Sequence, residues 1–148
     1  MIDRSHIGKR WPPWEVELEK GRLQLFAKAI GEARLIYTDD AAARAAGYRG
    51  IVAPPTYSVC LGADDPKGLE YLKELGVPMG RMLHGEQKIT QVEPICAGDR
   101  VVVTRRVRDI YDKKGGALEF IVFESDVRNK LDDRLVAKTE AILVIRNP

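Results

Sequence analysis

Two periodicities divide the chain. Leu23, Phe26, Ala27 and Ile30 recur at helical spacing, which predicts an amphipathic helix over Glu19 to Ile30, ended by Gly31. From Met82 onward the pattern is that of strands. Met82 to Pro94, Arg100 to Tyr111, Ala117 to Asn129 and Leu135 to Arg146 are four runs rich in β-branched and aromatic residues. They are separated by Ala97-Gly98-Asp99, Lys113-Lys114-Gly115-Gly116 and Lys130-Leu131-Asp132-Asp133, which carry turn chemistry. Separators this short make the strands antiparallel neighbours.

The rest of the first half is irregular or helical. Trp11 to Leu18 alternates large apolar and acidic residues after a proline pair and reads as a short edge strand or an extended entry. Thr38 or Asp39 can cap a helix whose body is Asp40 to Ala46, with Gly47 as its stop. Tyr48 to Pro55 reads as loop, because Pro54 and Pro55 disfavour helix before them and remove two donors. Thr56 to Leu61 reads as either a short helix or a strand. Asp64-Asp65-Pro66 caps a further helix, Lys67 to Leu75, that Gly76 ends. Helices early and long strands late predict an α+β fold in which an antiparallel sheet wraps one central helix, a single domain spanning residues 1–148. A lone domain of this kind leaves a sheet edge exposed, so a dimer is expected.

Composition narrows the function. Apolar residues make up 45% and charged residues 31%, an ordinary globular balance. The 24 basic and 22 acidic residues give a net charge of only +2, too balanced for a nucleic-acid footprint over the whole domain. Arg105, Arg106 and Arg108 are the densest basic group and read as an exposed strand face, with a phosphate-bearing carrier or coenzyme A as the alternative ligand. Cys60 and Cys96 lack metal-ligand spacing and read as small, at least half-buried hydrophobes. Met1 to Arg10 has no continuous apolar run, so neither a signal peptide nor a membrane span is expected and the setting reads as cytoplasmic. No metal and no nucleotide cofactor is expected, since no phosphate-binding glycine motif, nucleophile elbow or histidine-pair site occurs.

Phe26 to Arg49, FAKAIGEARLIYTDDAAARAAGYR, resembles the signature of MaoC-like and R-specific enoyl-CoA hydratases. GIVAPPT at 50–56 and LHGEQ at 83–87 resemble the N-terminal MaoC-like type found in (3R)-hydroxyacyl-thioester dehydratase subunits. With the Gly98-Asp99 turn and three closing strands, the resemblance covers nearly the whole chain. It implies a hot-dog fold, a hydro-lyase (hydratase or dehydratase) role in fatty acid metabolism, and an acyl-CoA or acyl-carrier-protein thioester as ligand. A homodimer, or a heterodimer with a catalytic hot-dog subunit, is implied as well.

The helix-ending signature of that family reads Gly-Asp-x-Asn-Pro-Ile/Leu-His, its Asp and His acting as an acid/base pair on a water. Here the segment is Gly31-Glu32-Ala33-Arg34-Leu35-Ile36-Tyr37. Glu32 carries its carboxylate one methylene further out, and a misplacement of about 1 Å can cost about a hundredfold in rate. Tyr37, with an ordinary pKa of about 10, donates a hydrogen bond at neutral pH but is no base. Both are candidate catalytic residues, and ordinary polar residues at a helix end is the alternative. His84 is the third candidate, reading either as a hydrogen-bonded structural histidine or as a substitute acid/base that meets Glu32. Relatives polarise the thioester carbonyl with a backbone N–H near the segment occupied here by Pro54-Pro55, which leaves Thr56 or Gly50 as donor. Gly50, Val52, Pro55 and Thr56 are therefore the candidate substrate-binding residues.

The altered signature favours an acyl-binding subunit that works beside a partner with an intact Asp/His pair. A self-sufficient homo-oligomeric hydratase, a hot-dog thioesterase and a non-catalytic acyl-CoA-binding module are the alternatives.

Overall fold

The computed structural model describes residues 1–148. A five-stranded antiparallel sheet is built from β1 (Trp14–Glu17), β2 (Met82–Gln91), β3 (Arg100–Lys113), β4 (Leu118–Asn129) and β5 (Leu135–Arg146), in the order β1-β3-β4-β5-β2. Its helices are α1 (Lys20–Ala29), α2 (Asp40–Ala45) and α3 (Glu70–Glu74), joined by an eight-residue 3-10 helix, Pro55–Gly62.

That 3-10 helix is the central one. Tyr57, Ser58 and Leu61 are buried, and three strands hold it. The Trp14 indole donates to the Leu61 carbonyl at 3.0 Å, the Ser58 hydroxyl donates to Gln91 Oε1 at 3.2 Å, and Arg105 donates to the Gly62 carbonyl at 3.1 Å. Sequence left this segment open between helix and strand, and Pro54-Pro55 settles it locally. Proline fits the first positions of a helix, where the missing N–H has no intrahelical acceptor to lose.

α1 stops where expected. Ile30 caps it and Gly31 takes a left-handed φ of 71°, which glycine adopts without the Cβ penalty. Of the two possible caps of α2, Asp39 serves: its carboxylate accepts the Ala42 N–H at 2.7 Å. The helix expected over Lys67 to Leu75 shrinks to Glu70–Glu74, because Gly68 sits at φ 56° and turns the chain before regular helix begins.

Inward-facing positions of the sheet form two apolar clusters. One gathers Trp14, Val16, Val101, Val103, Val127 and Ala137 under the central helix. The other gathers Val107, Ile110, Ile121, Phe123, Leu143 and Ile145 under Leu72 and Leu75. Val107 and Ile110 both point inward although three residues apart, because a bulge between Val107 and Asp109 shifts the alternation by one. A second bulge, between His84 and Glu86, bends β2 at Gly85.

The two sheet edges differ. On the β1 side, Gly8 and Lys9 exchange hydrogen bonds with Val107, so the N-terminal segment prolongs β1 along β3, and Pro12-Pro13 lies between the two stretches. On the other side β2 runs ten residues with no strand beyond it, and Leu83, Met79 and Val92 around it are exposed. No helix is long and apolar enough to cross a membrane.

At Gly85 a Cβ would lie 2.6 Å from Val144 Cγ2 and 3.3 Å from the Ile142 carbonyl oxygen. Gly85→Ala should therefore cost about 1–3 kcal/mol through overpacking. Denaturant unfolding of the two proteins side by side checks this, and an unchanged midpoint would refute it.

Candidate functional site: a half-apolar cavity and an ion-paired helix end

Between the two apolar clusters the inner sheet face carries a cross-strand row of different character: Arg105 opposite Ser125, Ser125 opposite Thr139, Thr139 opposite Ile89. Polar side chains cannot close against the central helix as valines do, and a cavity of about 270 Å³ opens there. Exposed Leu69 and His84 stand at its mouth, with Gln87 beside them on β2. Its deep wall is Phe123, Arg105 and Tyr71, the first two only 4% and 6% exposed.

Arg105 carries a full charge in this interior, which demands compensation. Asp65 accepts from its Nη1 at 2.9 Å, and the side chains of the pair are 6% and 10% exposed. The guanidinium also lies 4.0 Å from the Tyr71 ring centre and 4.8 Å from that of Trp14. Tyr71 in turn meets Phe123 edge-on at 5.2 Å. The sequence reading of three arginines on an exposed strand face is thus corrected for Arg105, whose strand parity points it inward. Arg106 and Arg108 do face outward, paired with Glu124 and Glu140.

The helix-ending signature forms a self-contained cluster. Glu32 accepts from Arg34 three times: from its backbone N–H at 3.0 Å, its Nε at 3.0 Å and its Nη2 at 2.7 Å. Those hydrogen bonds, led by the guanidinium's, hold the Glu32 carboxyl down from 4.5 to about 2. The same guanidinium covers the Tyr37 ring at 4.9 Å. Tyr37 is buried with Ala27, Val52 and Cys96. Neither Glu32 nor Tyr37 lines the cavity; of the three catalytic candidates only His84 does.

The substrate-binding candidates divide as well. Gly50 and Val52 are buried, and the Val52 N–H is spent on the Ile36 carbonyl at 3.0 Å. Pro55 and Thr56 are exposed at the start of the central helix, and the Thr56 N–H has no partner within the chain. Tyr71, Phe123, Ser125 and Thr139 were not singled out from sequence. Their signal was faint but present: Ser125 and Thr139 interrupt two apolar strands at positions whose neighbours of the same parity, Val127 and Ala137, are core.

An α+β sheet curled around a short helix, with a cavity between them, is the hot-dog architecture of dehydratase domains. Residues 5–139 match the model of the FAS1-like, dehydratase domain region, and the chain belongs to that family. A UPF0336 protein of Streptomyces avermitilis is 32% identical over 133 residues, covering 89% of this chain and 85% of the relative. One from Saccharopolyspora erythraea is 31% identical over 146 residues, covering 98% and 92%. Among solved structures, the C-terminally truncated HadBC (3R-hydroxyacyl-ACP dehydratase) complex of Mycobacterium tuberculosis superposes with a TM-score of 0.80 at 22% identity, over 94% of this chain and 96% of that one. The ChsH1–ChsH2 complex of the same organism gives a TM-score of 0.70 at 18% identity, over 95% and 98%.

Two outcomes follow. In Arg34→Ala the Glu32 carboxyl should return upward toward its ordinary value of 4.5, read by carboxyl-carbon NMR titration. Because the folded value is the lower one, the contribution of this pair to stability is complete above pH 4.5 and is lost as pH falls toward 2. Arg105→Leu, which strands the Asp65 carboxylate in the interior, should cost about 3–5 kcal/mol in denaturant unfolding.

Proposed function

We propose that this chain is the acyl-binding subunit of an R-specific 3-hydroxyacyl-thioester dehydratase, and that a partner hot-dog subunit with an intact carboxylate–histidine pair carries out the proton transfers. The carrying observation is the state of the Glu32 carboxylate. Reversible hydration of an enoyl thioester needs one group to take a proton from water and another to deliver one to the α-carbon, with pKa values near the working pH. A carboxyl held near 2 by Arg34 does neither at neutral pH, and the residue at the histidine position, Tyr37, is buried among apolar neighbours.

The cavity supports the ligand. Val59, Leu69, Phe123 and Leu143 suit an alkyl chain. The open β2 edge supports the partner. A ten-residue edge strand with a free row of backbone donors and acceptors invites pairing, and the cavity mouth at His84 and Gln87 lies on that strand. The two solved complexes of like fold, HadBC and ChsH1–ChsH2, each combine two differently named subunits.

One observation favours a second reading. His84 lines the cavity, so a self-sufficient hydratase would draw its acid/base function from this residue. Following the enoyl absorbance of crotonyl-CoA separates the two. The subunit reading expects binding but no turnover by the chain alone, and turnover once a hot-dog subunit bearing the Asp/His signature is added. Turnover by the chain alone at an ordinary enzymatic rate, about 10 s⁻¹, and its loss in His84→Ala, would establish the second reading instead.

A further inference from the structure

Tyr71 separates two hollows. On one side lies the 270 Å³ cavity; on the other a pocket of about 60 Å³ beneath Trp11, Pro12, Pro13 and Trp14, whose wall Tyr71 also forms. The ring is held from several directions. Arg105 stacks on it at 4.0 Å, Phe123 meets it edge-on at 5.2 Å and Trp11 at 5.8 Å. Arg105 is itself fixed to Asp65 and to the Gly62 carbonyl, so the end of the central helix and the first part of the segment leading to α3 are anchored to the sheet at the same residue.

From this geometry we infer that Tyr71 sets the length of acyl chain the cavity accepts, acting as a stop between the main cavity and the tryptophan-proline pocket behind it. The inference rests on the acyl-binding reading above. A chain entering past His84 has Phe123 on one flank and meets the Tyr71 ring, beyond which lies the tryptophan-proline pocket. A cavity of about 150 Å³ holds one benzene, and on that scale the cavity accommodates a chain of about ten carbons. Beyond that length further methylenes stay in water and add nothing. With the ring removed, the two hollows join and open a route to the tryptophan-proline pocket.

Titration calorimetry with saturated acyl-CoAs from hexanoyl to palmitoyl, with coenzyme A alone as reference, tests this on the full chain. Wild type should gain about fourfold in affinity per added methylene, the worth of burying one CH₂, and level off at about ten carbons. In Tyr71→Ala the rise should continue for a further two carbons or more before levelling. Tyr71→Val gives the same readout should the alanine variant unfold. Ala141→Phe, which fills the cavity from β5, should move the break to shorter chains. A break at the same length in wild type and in the folded Tyr71 variant overturns the stop while leaving the acyl-binding reading standing. Absence of binding at every chain length overturns both.

Discussion

The buried charge of Arg105 is the constraint around which the rest of this molecule is arranged. A guanidinium pointing into a sheet's inner face requires a carboxylate, a carbonyl and aromatic faces, and each comes from a different part of the chain: Asp65, Gly62, Trp14 and Tyr71. Meeting those needs fixes how far the central helix extends, where the turn after it lies and how α3 settles on the sheet. The same cation, with Ser125 and Thr139 in its cross-strand row, keeps the two apolar clusters from merging. The hollow is therefore a product of the packing problem and not an imperfection in it.

The helix end after α1 shows the opposite economy. Glu32, Arg34 and Tyr37 satisfy one another within six residues and ask nothing of the cavity. A carboxylate with three donors around it is well suited to stiffening a loop and poorly suited to exchanging protons. The ion pair gives the helix end local order without help from the sheet.

Much of this fold is readable along the chain, and what is missing has a physical reason. The change of period at Met82, Gly31 at the end of α1 and Asp39 ahead of α2 are local signals, and local structure follows them. Strand parity beyond a bulge is not local. One extra residue at Val107/Asp109 reverses the faces, and no single strand reveals it without its partner's register. Arg105 precedes that bulge and shares the parity of Val101, Val103 and Val107, so its inward turn is legible in the alternation, whereas the position of Tyr71 depends on contacts over tens of residues, which no window along the chain displays. The helical signature displays Glu in place of Asp plainly, yet the ion pair that lowers the Glu32 carboxyl needs the fold of Gly31–Arg34 to be seen.

The difference between the two sheet edges bears on how assembly ends. Along β3 the N-terminal segment and a four-residue β1 fill the margin, and two consecutive prolines deny it donors. Along β2 the margin is long and free. A sheet with one receptive side grows by a single step, since the joining of two such sides consumes both. Backbone pairing is thereby favoured along one margin and disfavoured along the other, an asymmetry that works against open-ended edge-to-edge growth.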